Sequence, residues 1–101
     1  RNSKIVDVVS ELKSWGVNVV VADPWADPIE VERTYGITLG KVDTNHQVDS
    51  LIVAVGHNEF RDLNPESLRK FCSGSAPVLA DVKSLYDRHA LGEKGFSVFR
   101  L

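Results

Sequence analysis

At 101 residues the chain is long enough for one domain with one hydrophobic core, but short for an enzyme with its own cofactor domain. A net charge of −2 argues against nucleic acid or an anionic membrane as the main partner, and no apolar run approaches the ~20 residues of a membrane helix. One cysteine excludes an internal disulfide and indicates a reducing, cytoplasmic setting, and the absence of methionine indicates a piece of a longer protein.

The first predicted elements are a helix and a buried strand. Asn2 or Ser3 can cap the helix, because either side chain can accept from the free N–H groups of a first turn. Apolar residues then recur at helical spacing over residues 5–15. The continuous apolar and β-branched run at 17–22 predicts a strand that is covered on both faces, and Asp23-Pro24 ends it.

The later elements continue this alternation. Asp27-Pro28 and Asn64-Pro65 each combine a capping side chain with a proline suited to the first helical turn, so each predicts the start of a helix. Two further core strands are predicted at about 50–55 and 78–82, followed by one or two helical turns within 84–90. A terminal strand is predicted at 96–101, where apolar and polar residues alternate.

Helices that alternate with such strands predict an α/β fold, namely a three-layer, Rossmann-like, doubly wound parallel sheet. The pattern opens on a helix, whereas a doubly wound unit opens on a strand that lies centrally in the sheet. We therefore expect a sheet that lacks its first strand. Residues 1–101 are interpreted as a single domain of a longer protein.

Most of the short motifs predict no chemistry. The segment 36–41 resembles a phosphate-binding loop, but it is one residue short, lacks the final Ser or Thr and leads into no predicted helix. The sequence has no Gly-x-Gly-x-x-Gly fingerprint, and its three histidines lack the spacing of metal ligands. Cys72 lies on a predicted apolar helical face and is interpreted as a small hydrophobe. Trp15 and Trp25 are interpreted as core or rim packing residues and not as ligand-stacking residues. We expect no metal site and no catalytic residue in this chain.

Polar residues at the ends of the predicted strands remain as site candidates, because ligands of such sheets bind outside the carboxyl ends of the strands. Lys83 follows the third core strand, where its ammonium can meet a phosphate or a carboxylate, or pair with Asp81 or Asp87 as a surface lysine. His57, after the second strand, can bind a ligand or cap a turn. Arg1 can contact an anion at the first helix.

Several segments occur together in a familiar order. They are Arg1-Asn2-Ser3, Gly16-Val17, Asp23-Pro24, the stretch from Val53 to Phe60, Asp81-Val82-Lys83 and Asp87-Arg88. This set resembles the C-terminal, UDP-binding domain of the UDP-glucose/GDP-mannose dehydrogenase family. The stretch from Asp23 to Ile37 is most similar to the bacterial branch that acts on UDP-N-acetylhexosamines for surface polysaccharide.

The resemblance implies an NAD-dependent dehydrogenase that oxidises the C6 alcohol of a UDP-sugar to a carboxylate. It implies that Lys83 holds the nucleotide portion of the substrate and that Arg1 reaches NAD, while His57 stays a weaker substrate-binding candidate. The catalytic cysteine and most of the NAD site would lie in the rest of the polypeptide. The fragment alone should therefore be inactive.

Two readings from other classes stay open beside this one. A flavodoxin-like phosphoacceptor domain also uses an acid and a lysine at strand ends, although here Lys83 is followed by Ser84 and Asp23 has no acidic neighbour. A non-catalytic interaction module is the other. The expected partners are a UDP-sugar, the rest of the polypeptide and, because unpaired sheet edges favour association, further copies of the chain.

Overall fold

The computed structural model describes residues 3–23, 25–54 and 62–100, with the side chains of Ser3 and Lys4 excepted. By its internal contacts the chain divides into two compact units, Arg1–Lys41 and Val42–Leu101. Helices and strands alternate through the described residues, and the strands of the sheet are parallel, so the predicted α/β, Rossmann-like class is confirmed. No strand precedes the first helix within these ranges.

The first unit contains two helices, α1 (Ser3–Ser14) and α2 (Pro28–Tyr35). Helix α2 begins as predicted, since the Asp27 carboxylate accepts a hydrogen bond from the Ile29 N–H at 3.0 Å. It ends at Gly36, whose φ of 69° is the left-handed conformation that glycine adopts without strain. The local capping chemistry therefore fixes both ends of this helix.

The strand predicted at 17–22 is wrong. Only Val21 pairs, through one parallel bridge to Leu39 that the Gly40 N–H supports with a 2.8 Å bond to the Val21 carbonyl. An apolar run becomes a strand only where another extended segment pairs with it along its length through backbone hydrogen bonds. Among the described residues of this unit, only the segment around Leu39 supplies such a neighbour.

The two tryptophans, interpreted as core or rim packing residues, do not lie in the core. Trp15 and Trp25 are 68% and 65% exposed. Trp15 follows the last turn of α1 and donates from its indole N–H to the Glu11 carboxylate at 3.1 Å. Helical spacing placed Trp15 on the apolar face of α1, but of the described residues of that helix only Val9 is buried.

The second unit contains a parallel sheet of three described strands, β1 (Ser50–Val53), β2 (Val78–Asp81) and β3 (Ser97–Arg100). The order is β1-β2-β3, so β2 is central. Helix α3 (Pro65–Lys70) connects β1 to β2, and helix α4 (Arg88–Glu93) connects β2 to β3. The start of α3 was predicted correctly, because the Asn64 side chain accepts from the Ser67 N–H at 2.8 Å.

The core of this unit lies on one face of the sheet. It comprises side chains from α3, β2, α4 and the segments between them: Leu68, Cys72, Leu79, Tyr86, Leu91 and Phe96. The register places Ile52, Ala80 and Phe99 side by side on the opposite face, where Ile52 and Phe99 are exposed. Both connecting helices therefore cover the same face, as right-handed crossovers between consecutive parallel strands require.

The helical turns predicted at 84–90 occur later in the chain. Helix α4 begins at Arg88, where the Asp87 side chain caps it through the His89 N–H at 3.0 Å. It continues to Glu93, into the segment predicted to be a loop. The start is delayed because the amides of Leu85 and Tyr86 are bound to a side chain from β2 and enter no helix.

Candidate functional site

The three described strands end together at one edge of the sheet. Val53, Asp81 and Arg100 occupy the same position in the register of β1, β2 and β3. In open parallel sheets this carboxyl edge is where ligands bind. The candidate site is therefore built from the residues at these ends and from the loop that follows β2.

Lys83 lies in that loop, two residues beyond the end of β2, and its side chain is exposed. No described residue forms an ion pair with its ammonium, so neither Asp81 nor Asp87 is its partner here. Both carboxylates instead accept backbone N–H groups. Of the predicted site residues, the structure thus describes one and leaves its charge directed at solvent.

Arg1 and His57, the other two predicted site residues, lie outside the described residues. Their proximity to Lys83 stays a prediction. Asp23, considered as a further strand tip, forms a local turn, because its carboxylate accepts from the Trp25 N–H at 2.9 Å. The strand that Asp23 was predicted to end does not form, so Asp23 is not a strand tip.

Asp81 is the residue whose role sequence reasoning missed. It is 1% exposed, and its two carboxylate oxygens each accept a backbone N–H at 2.9 Å, one from Leu85 and one from Tyr86. A buried carboxylate is stable only when its oxygens are bound in this way. The signal in the sequence was an acid at the end of an otherwise apolar strand.

Tyr86, the last residue of this loop, is buried in the core. Burial, with a smaller contribution from the negative charge of Asp81, raises the pKa of the Tyr86 phenol to about 12. On the side of β3, the Arg100 guanidinium donates to the Tyr86 carbonyl at 2.8 Å. Arg100 also lines an open cleft of about 760 Å³ with Asp87, Arg88, His89, Gly92 and Glu93.

Cys72 is buried in the core as predicted, at 3% exposed, but it lies beyond the end of α3, in a bridge to Val48, and not on a helical face. Burial raises the pKa of its thiol. A thiol in this setting is protonated at neutral pH and is a poor nucleophile. No group of three potential metal-binding side chains occurs in the described parts of the chain. None of the described helices is long and apolar enough to cross a membrane.

Comparison with known protein families identifies the family of this chain. The model of the UDP binding domain of the UDP-glucose/GDP-mannose dehydrogenase family matches residues 1–88. The chain belongs to this family. The match includes the Asp81-Val82-Lys83 tip and ends within the first turn of α4, so the carboxyl edge described above lies in the family's UDP-binding domain.

Two of the similar proteins are named as 6-dehydrogenases. The chain is 43% identical over 84 residues to UDP-N-acetyl-D-glucosamine 6-dehydrogenase of Salmonella typhi, a match that covers 82% of the chain and 19% of that protein. It is 40% identical over 88 residues to the Pseudomonas aeruginosa protein of the same name, with 86% and 20% covered. Protein CapL of Staphylococcus aureus is 29% identical over 93 residues, with 90% and 21% covered.

The chain therefore spans about a fifth of the length of the curated relatives it matches. Membership of the dehydrogenase family also replaces the phosphoacceptor reading of the strand tips. The acid considered for that reading, Asp23, lies in a local turn, where its carboxylate accepts the Trp25 N–H.

Proposed function

We propose that the chain is the UDP-binding domain of an NAD-dependent 6-dehydrogenase. This cytoplasmic enzyme would oxidise the C6 alcohol of a UDP-N-acetylhexosamine to a carboxylate for surface polysaccharide. The observation that carries the proposal is the family match over residues 1–88, and the two 6-dehydrogenases at 43% and 40% identity support the choice of sugar. Residues 1–101 form one domain of that enzyme.

In this function Lys83 holds the anionic nucleotide portion of the substrate. Its exposure, its place at the carboxyl edge and the absence of an acidic partner among the described residues support that role. A lysine ammonium is a compact charge that suits a phosphate oxygen. His57 is proposed as a second substrate-binding residue, and Arg1 as a residue that contacts NAD.

The NAD would be bound mainly by the rest of the polypeptide. A dinucleotide site needs a glycine-rich turn between a strand and the N-terminus of a helix. The sequence has no Gly-x-Gly-x-x-Gly fingerprint, and the segment 36–41, which resembles a phosphate-binding loop, begins at the glycine that caps the C-terminal end of α2. When bound, NAD supplies the hydride acceptor, and the described residues of this chain contribute to substrate binding alone.

The first prediction concerns the full-length enzyme, assayed by NADH absorbance with UDP-N-acetylglucosamine as substrate. Lys83→Ala should raise KM about tenfold with kcat nearly unchanged, because the variant loses one charge-assisted contact worth ~1.5 kcal/mol. Lys94→Ala is the matched control, since this exposed lysine lies just before β3, at the opposite edge of the sheet. Absence of NADH with any UDP-sugar would refute the enzyme assignment, and an unchanged KM would refute the role of Lys83.

We also propose that copies of the isolated chain associate. Strand β1 pairs with β2 on one side, and no described residue pairs with its other side. Such an edge presents unpaired N–H and C=O groups that another copy can bind. Light scattering of the 101-residue chain should show a molecular mass that rises with concentration. A constant monomeric mass over a hundredfold range, about 5 to 500 μM, would contradict this association.

A further inference from the structure

The loop that carries Lys83 is held at both ends by the sheet. At its start the Val82 N–H donates to the Val53 carbonyl at 3.0 Å, which continues the β1–β2 ladder one residue beyond Asp81. At its end the main chain of Tyr86 is bound to side chains from two strands. Asp81 of β2 accepts the Tyr86 N–H, and Arg100 of β3 donates to the Tyr86 carbonyl.

Between these ends the backbone of Ser84 has an unfavourable conformation, which needs other contacts to stabilise it. Ser84 has a φ of 54°, the left-handed region that costs a residue other than glycine ~1 kcal/mol. The Ser84 N–H donates to the Asp81 carbonyl at 3.3 Å, and the next amide, that of Leu85, donates to the Asp81 carboxylate at 2.9 Å. Asp81 therefore holds three successive amides that follow Lys83.

We propose that Asp81 and Arg100 are positioning residues for the nucleotide site, which act by fixing the loop 82–86 so that the Lys83 ammonium meets the anionic part of the UDP-sugar. The inference rests on the proposed function of Lys83 and adds two residues to it. Neither side chain needs to touch the ligand. A loop already ordered in the free enzyme loses less conformational entropy on binding, so these contacts should raise the affinity for the substrate.

Asp81 is buried and Arg100 is exposed, so the contacts that each makes with the loop can be removed in separate variants. Asp81→Asn keeps the shape of the side chain but turns one of its two acceptors into a donor that faces a backbone N–H. Arg100→Ala removes only the bond to the Tyr86 carbonyl, and Arg100 is exposed, so this variant should fold even if Asp81→Asn does not. Arg33→Ala controls for the loss of an exposed arginine in the other unit.

The experiment measures KM and kcat of the full-length enzyme for UDP-N-acetylglucosamine in these variants, alone and combined with Lys83→Ala. Asp81→Asn should raise KM about fivefold to tenfold, and Arg100→Ala about threefold, with kcat within about twofold of the wild type. Arg100→Lys should recover part of the loss, because a lysine can also donate to the carbonyl. Arg33→Ala should change neither constant.

The double variants separate positioning from other roles. If Asp81 and Arg100 act through Lys83, then adding either change to Lys83→Ala should raise KM by less than about twofold further. Full multiplication of the two effects, or an unchanged KM in Arg100→Ala, would overturn the inference. A Lys83→Ala enzyme with normal KM would instead show that the proposed function of Lys83 has failed, whatever the other variants do.

Discussion

Leu79→Ala should lower the free energy of unfolding of the chain by about 3 kcal/mol, because it truncates a fully buried core side chain. Leu79 lies at the middle of the central strand β2 and is completely buried. Its side chain belongs to the cluster that joins the sheet to α3 and α4 through Leu68 and Leu91. Truncation removes these contacts and leaves a cavity that a strand held on both sides cannot close.

Urea unfolding followed by circular dichroism measures this effect. The control is Phe99→Ala, on the opposite face of the same sheet, where the ring is 63% exposed. Although this change deletes the larger side chain, we expect it to cost less than about 1 kcal/mol, because the ring buries little area. Equal losses in the two variants would mean that the core does not lie on the Leu79 face.

Capping signals predicted the helices of this fold better than apolar runs predicted its strands. Asp27-Pro28 and Asn64-Pro65 act on their own first turns, and the structure places α2 and α3 as predicted from them. The run at 17–22 is richer in β-branched residues than β2, yet forms only the Val21–Leu39 bridge. A cap needs only its own neighbours in sequence, whereas a strand needs a partner from elsewhere in the chain.

In the candidate site, too, one feature was predictable from the sequence and another was not. That Lys83 would follow a strand and face solvent at the carboxyl edge was predictable from the pattern of apolar residues and from the rule for parallel sheets. That Asp81 would be buried and bind the amides of Leu85 and Tyr86 was not. From the sequence, Asp81 could equally have been an ion-pair partner of Lys83. The spacing of two opposite charges at i and i+2 does not show which side chain the turn directs inward.

The burial of Tyr86 has a consequence for stability at high pH. The pKa of its phenol is about 12 in the folded chain, whereas an unfolded tyrosine titrates near 10. Below pH 10 both states hold the proton, and the contribution to stability is complete. Between pH 10 and 12 the unfolded chain loses the proton first, so the free energy of unfolding falls by about 1.4 kcal/mol per pH unit, ~2–3 kcal/mol in all.

Tyr86→Phe should remove this contribution and therefore flatten the loss of stability above pH 10. Urea midpoints measured from pH 8 to 11.5 for the wild type and the variant give the test, and their difference cancels the titration of the lysines, which both proteins share. The absolute stability of Tyr86→Phe at pH 8 is not the readout, because loss of the hydroxyl also changes packing. Tyr35→Phe, in α2 of the other unit, controls for the loss of a phenol as such. Parallel curves for wild type and Tyr86→Phe would show that the phenol is not buried as described, and with it that the loop carrying Lys83 does not pack over the core.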